Sequence, residues 1–193
     1  MNKKRTFTDD EAMHYFTMIL IALHYLHSKE IDHRDLKPAN ILLDELPGGL
    51  NILKIGDFGI SKVDIQEMKK TVTATMGGQT SPAYIAPEVM SDKPTTTQVD
   101  IWALGIILYQ LIASFSHPFE RENFFAMMAA IKDNEPRPLP STVSPFIKQI
   151  IKEILDKNPL TRPDAQALIN KVEIRPYIKK IILYVSDSDQ IAG

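Results

Sequence analysis

The segment His33-Arg34-Asp35-Leu36-Lys37-Pro38-Ala39-Asn40 gathers an acid, two bases and an amide into eight residues, bounded by apolar runs. Side chains of these types can move protons, carry positive charge to an anion and offer hard oxygens to a cation. Downstream, in order, come Asp57-Phe58-Gly59, Ala86-Pro87-Glu88, Asp100-Ile101-Trp102-Ala103-Leu104-Gly105 and Arg162-Pro163. Each alone has a bland reading: an isolated Asp-Phe-Gly is usually a turn, and His33 beside Asp35 can be a structural pair. His24 and His27 invite a metal reading, but no further ligand cluster supports it and zinc commonly takes four ligands. The absence of Cys excludes disulfides, thiolate zinc sites and a cysteine nucleophile.

The elements around this segment read mainly as helix. Thr8 followed by Glu11 has capping-box spacing, and Met13, Phe16, Leu20, Leu23 and Leu26 recur at helical intervals, which predicts a helix to about Ser28. Ile41 to Leu43 and Ile52 to Ile55 flank Pro47-Gly48-Gly49 and predict a hairpin with a long turn. Gly59 to Thr80 lacks periodicity and is expected to be a mobile loop. Val99 to Ile112 is apolar on nearly all faces, so it is expected as a central buried helix. Ser144-Pro145 makes a cap and first turn for Ile147, Ile150, Ile151 and Ile154, and Asp164 caps another helix through Ile169.

With 193 residues and 44% apolar composition, the chain is long enough for one domain with a hydrophobic core. Twenty-two Lys and Arg against 24 Asp and Glu give a net charge of −2, which implies no bulk attraction to nucleic acid or anionic membrane. The opening MNKKRTFTDDEAMHYF reaches acidic residues before any apolar run that would act as a signal peptide, so an intracellular, cytoplasmic protein is expected. Val99 to Ile112 falls short of the roughly 20 residues of a membrane span.

In their order, these motifs resemble the signature set of eukaryotic-type serine/threonine protein kinases, over about Thr8 to Tyr184. The resemblance implies ATP and Mg2+ as cofactors and a protein substrate with a Ser/Thr acceptor. It makes Asp35 the base that orients and deprotonates the acceptor hydroxyl, and Lys37 the cation that neutralises the transferred phosphate. It makes Asn40 and Asp57 the magnesium ligands, an oxygen pair suited to an ion that keeps several waters. Gly59 then lets the backbone turn after Asp57, Phe58 packs behind it, and His33 supports the segment. Glu88 and Arg162 would pair inside the lobe, and Asp100 would hold the backbone of the His33-Arg34 segment. Lys37, in place of an Arg-rich alternative, fits the serine/threonine type.

Arg34 before Asp35 resembles kinases switched on by phosphorylation of the following loop, where a phosphate would bond the guanidinium. Thr71, Thr73 and Thr75 are the candidates, with Thr75 favoured over the reading that all three are solvated loop threonines. The chain departs from the family at Gly77-Gly78-Gln79-Thr80-Ser81-Pro82-Ala83-Tyr84: Ser81 stands where a substrate-pocket Thr is usual, and Thr80 in place of Gly. Asp57-Phe58-Gly59-Ile60-Ser61-Lys62 and Arg175-Pro176-Tyr177-Ile178-Lys179-Lys180 are most similar to NIMA-related kinases, and Ile60 favours threonine as acceptor.

Neither a G-x-G-x-x-G loop nor a Val-Ala-x-Lys occurs. The expected architecture is therefore a mainly α protein-kinase-like large lobe over residues 1–185, with a short β-hairpin at the active-site edge. The small β-rich lobe is expected to be absent, and residues 186–193 to form a disordered tail. The expected function is that of a protein serine/threonine kinase fragment completed by a small lobe in cis or in trans. A noncatalytic kinase-like binding module and half of a split kinase are the alternatives.

Overall fold

The computed structural model describes residues 7–46, 50–56, 82–91 and 95–191. Helix α1, Asp9–Ser28, begins at the expected capping box: Thr8 Oγ1 accepts from the Glu11 amide at 3.2 Å, and Glu11 Oε2 accepts from the Thr8 amide at 2.9 Å. Asp9, Asp10 and Glu11 place negative charge at the positive end of the helix dipole. The face carrying Ala12, Met13, Phe16, Ile19, Leu20 and Leu23 is buried.

The hairpin follows as β1, Ile41–Leu46, and β2, Leu50–Ile55, antiparallel with Ile41 opposite Ile55. Ile41, Leu53 and Ile55 pack on the core, while Leu42 and Leu43 remain 57% and 61% exposed. This is the only sheet among the described residues.

Helix α2, Gln98–Ile112, lies at the centre, because a segment apolar all round can be satisfied only by burial on every side. A Cβ at Gly105 would sit 2.4 Å from Ile154 Cγ2 and 2.9 Å from Leu155 Cδ2, so the missing side chain is what admits helix α4, Pro145–Ile154. Trp102, wholly buried, stacks on Phe119 with centroids 5.6 Å apart and an interplanar angle of 6°. Lys157 Nζ lies 3.8 Å from the Phe119 centroid and donates to Ile131 O at 2.6 Å; burial lowers its pKa to about 8.

The remaining helices are α3, Phe124–Asp133; α5, Ala165–Ile169; and α6, Arg175–Ile191. Asn123, Ser144 and Asp164 cap α3, α4 and α5, the last with a 2.7 Å bond from the Ala167 amide. Asp9 Oδ2 also accepts from the Ser144 amide at 2.8 Å, tying the starts of α1 and α4 together. The α6 backbone is helical through Ile191, within the stretch from Ser186 read from sequence as a tail. Polar composition argues against a core, but not against a helix whose backbone bonds are internal, and Ser186 Oγ adds a bond to Ile182 O at 2.9 Å. No helix among the described residues is long and apolar enough to cross a membrane.

Candidate active site

Leu36 is buried and its neighbours Asp35 and Lys37 are only partly so, which anchors the loop after α1 while leaving its polar groups accessible. Lys37 Nζ donates to Asp35 Oδ2 at 2.6 Å, and Asn40 Nδ2 donates to the same oxygen at 3.1 Å and to Asp35 O at 2.9 Å. The Pro38–Asn40 turn, started by a proline that fixes φ, brings Asn40 back onto Asp35. Asp35 Oδ2 is thus held by two donors, and no bond from a described residue reaches Oδ1. A carboxylate so fixed can accept a proton through its second oxygen. Asn40 is 7% exposed; its amide nitrogen is spent on Asp35, so its carbonyl oxygen is the atom left to meet a cation.

Asp100 positions the loop from below. Its Oδ2 accepts from the His33 amide at 2.9 Å and its Oδ1 from the Arg34 amide at 2.8 Å, with the carboxylate 1% exposed. Arg34 has φ of +62°, a left-handed conformation costing on the order of 1 kcal/mol for a residue with a Cβ, which these charge-assisted bonds offset. Its guanidinium meets Asp32 Oδ2 at 2.8 Å. His33 is fully buried: Nδ1 accepts from the Asp35 amide at 3.3 Å, and Nε2 faces Gly56 O at 3.0 Å, a pattern that fits the Nε2–H tautomer. Gly56 N also donates to Asn40 O at 2.8 Å, so the residue before Asp57 is fixed to the loop at both its polar groups.

A second cluster anchors residues 82–91. Arg162 meets Glu88 in a bidentate pair of 2.7 and 3.0 Å, both side chains wholly buried. Its other donors reach Gln98 O and Asp156 O, so all the guanidinium N–H groups are satisfied, as a buried cation requires. His117 Nε2 holds Ala83 O at 2.7 Å while its Nδ1 accepts from the Phe119 amide, and burial lowers its pKa. Tyr84 donates to Gln110 at 2.8 Å, and burial raises its pKa.

The structure therefore brings His33, Arg34, Asp35, Lys37, Asn40 and Asp100 together, and Glu88 with Arg162 elsewhere. Asp57, Phe58, Gly59, Ile60, Thr71, Thr73, Thr75 and Ser81 lie outside the described residues. Among the described residues no cluster of three His, Cys, Asp or Glu side chains could hold a metal. Sequence reasoning missed several contacts. His27, weighed there only as a metal ligand, bonds Asp100 Oδ2 at 2.9 Å, and no signal links residues 73 apart. The contacts of His117 and Asp32 likewise carry no sequence signal.

Residues 1–172 match the family described as the protein kinase domain. The chain is similar to the serine/threonine-protein kinase nekl-2 of Caenorhabditis elegans, 35% identical over 93% of the chain and 48% of the relative. It is also similar to Nek8 of Danio rerio, 40% identical over 88% of the chain and 23% of the relative. A further relative is the CBL-interacting serine/threonine-protein kinase 14 of Arabidopsis thaliana, 39% identical over 86% and 36%. The chain spans about half or less of the length of these relatives.

Proposed function

This chain belongs to the protein kinase family, with NIMA-related kinases among its relatives, and from that premise we propose that it is the acceptor-facing, catalytic part of a protein serine/threonine kinase. The observation that carries the reading is Asp35, whose Oδ2 is fixed by Lys37 and Asn40 on a loop that Asp100 grips by two backbone amides. Asp35 receives the proton of a Ser or Thr hydroxyl as the new O–P bond forms and the bond to the nucleoside diphosphate breaks. Lys37, already beside that carboxylate, neutralises charge on the transferred phosphoryl group. Magnesium-ATP, held through the Asn40 carbonyl oxygen and Asp57, would supply the phosphoryl group and screen its charge. Because such catalysis is largely positioning, the buried bonds behind Asp35 matter as much as Asp35 itself.

Glu88, Arg162, His117 and Tyr84 hold residues 82–91 against the lobe, next to Ser81, which we assign to the acceptor pocket. Arg34 is assigned to reading a phosphate on Thr75, Thr73 or Thr71. The exposed Leu42 and Leu43 at the hairpin edge support completion of the nucleotide site by an ATP-binding lobe, in cis or in trans. Read alone, the same exposed edge favours the second reading, a noncatalytic docking module. Radiolabel transfer from magnesium-ATP decides between them, using the polypeptide that carries this chain together with an ATP-binding lobe. Label on Ser or Thr of protein acceptors, with threonine preferred, is the expected result; label on Tyr alone, or none, refutes the kinase reading.

A further inference from the structure

Asp100 grips the His33 and Arg34 backbone, whereas the contact between Asp32 and Arg34 is made by the side chains. Asp32 and Arg34 stand on either side of His33, whose ring is turned wholly inward. The left-handed φ of Arg34 lets its side chain fold back, so that Nη2 meets Asp32 Oδ2 at 2.8 Å. Both side chains are largely shielded, 23% exposed for Arg34 and 18% for Asp32, so the pair is weakly screened by salt. A planar guanidinium meets two oxygens of a carboxylate or of a phosphate by the same geometry.

We propose that Asp32 is a built-in counter-ion for the Nη2 edge of Arg34, so that a phosphate monoester taking that nitrogen must displace the Asp32 carboxylate. Arg34 is thereby kept paired and in place before any phosphate arrives. The same contact raises the threshold for phosphate control, because part of the phosphate's interaction is offset by the loss of the Asp32 pair. A dianionic phosphate still outcompetes a monoanionic carboxylate at close range, so the site is a graded switch and not a blocked one. The proposal rests on the kinase reading only for the use made of Arg34; phosphate binding itself requires no catalysis.

The test is a titration of the whole chain with inorganic phosphate at constant ionic strength, read as thermal stabilisation. Wild type is expected to respond weakly. Asp32→Asn and Asp32→Ser should each bind phosphate roughly tenfold more tightly, the ratio expected when a competing pair of ordinary strength is removed. Arg34→Gln in the Asp32→Asn background should abolish the response. Equal phosphate affinity in wild type and both Asp32 variants, or a response that survives loss of Arg34, overturns the proposal. Far-UV circular dichroism of each variant before titration separates a lost fold from a lost site. A failed transfer assay would sink the kinase reading and leave this titration interpretable.

Discussion

Replacing Asp100 by Asn tests how much of the site depends on one buried carboxylate. In the native chain Oδ2 accepts from the His33 amide and from His27, and Oδ1 accepts from the Arg34 amide. An amide offers one acceptor oxygen. If that oxygen serves His33 and His27, the new NH2 group faces the Arg34 N–H, one charge-assisted bond is lost and two donors oppose each other. A bond to a charged group contributes about 1.5–3 kcal/mol and a neutral one about 1 kcal/mol. Losing one bond and weakening the others therefore costs about 2–4 kcal/mol. With a urea m-value of about 2 kcal/mol/M, the unfolding midpoint should fall by about 1–2 M at unchanged m. Amide exchange at His33 and Arg34 should accelerate together, since both lose the same anchor. A loss under about 0.5 kcal/mol, or protection unchanged at both amides, refutes the idea that Asp100 holds this loop.

Two further outcomes concern other buried groups. Arg162→Met leaves Glu88 charged and buried without its partner, so it should cost about 3–5 kcal/mol in urea unfolding, whereas Glu88→Met with Arg162→Met should cost clearly less than the sum of the single variants. Equal and additive costs would contradict the pairing. The second concerns pH. Burial lowers the pKa of His117, against the opposing effects of Ala83 O and Glu120, so the folded chain holds this ring neutral where the unfolded chain protonates it. Its contribution to stability is thus complete above the unfolded value of about 6.5 and is lost as pH falls below it. His14, also lowered by burial and by Lys180, adds a slope of the same sign. The urea midpoint should drop from pH 7 to pH 5, and less steeply in His117→Gln; identical slopes would remove His117 as a contributor.

What was legible in the sequence was what is decided locally. The Thr8-Glu11 box, the Ser144-Pro145 start and the Asp164 cap involve residues three apart, so their spacing alone identifies them. The hairpin was legible because two apolar runs bracket Pro47-Gly48-Gly49, and α2 because a stretch apolar on nearly all faces and too short for a membrane has only the core to occupy. The partnership of Glu88 with Arg162, and of Asp100 with the His33-Arg34 backbone, came through family resemblance, since nothing local joins residues 74 or 67 apart. The Asp32–Arg34 contact is near in sequence yet was unreadable, because it depends on the positive φ at Arg34, which no composition rule assigns to arginine. His117 was missed for a similar reason: its partners, Ala83 O and the Phe119 amide, are backbone atoms, which carry no residue-type signal.

The central claim, that Asp35 is the base of a phosphoryl transfer to Ser or Thr, is tested most directly by Asp35→Asn in the polypeptide that carries this chain with an ATP-binding lobe. Asn keeps the size of the side chain and an oxygen for Lys37 and Asn40, but it does not take a proton. Transfer from magnesium-ATP to a protein acceptor should fall by about 10²–10⁴-fold, while the thermal shift produced by magnesium-ATP stays close to wild type. Transfer within a few fold of wild type would contradict the assignment of Asp35.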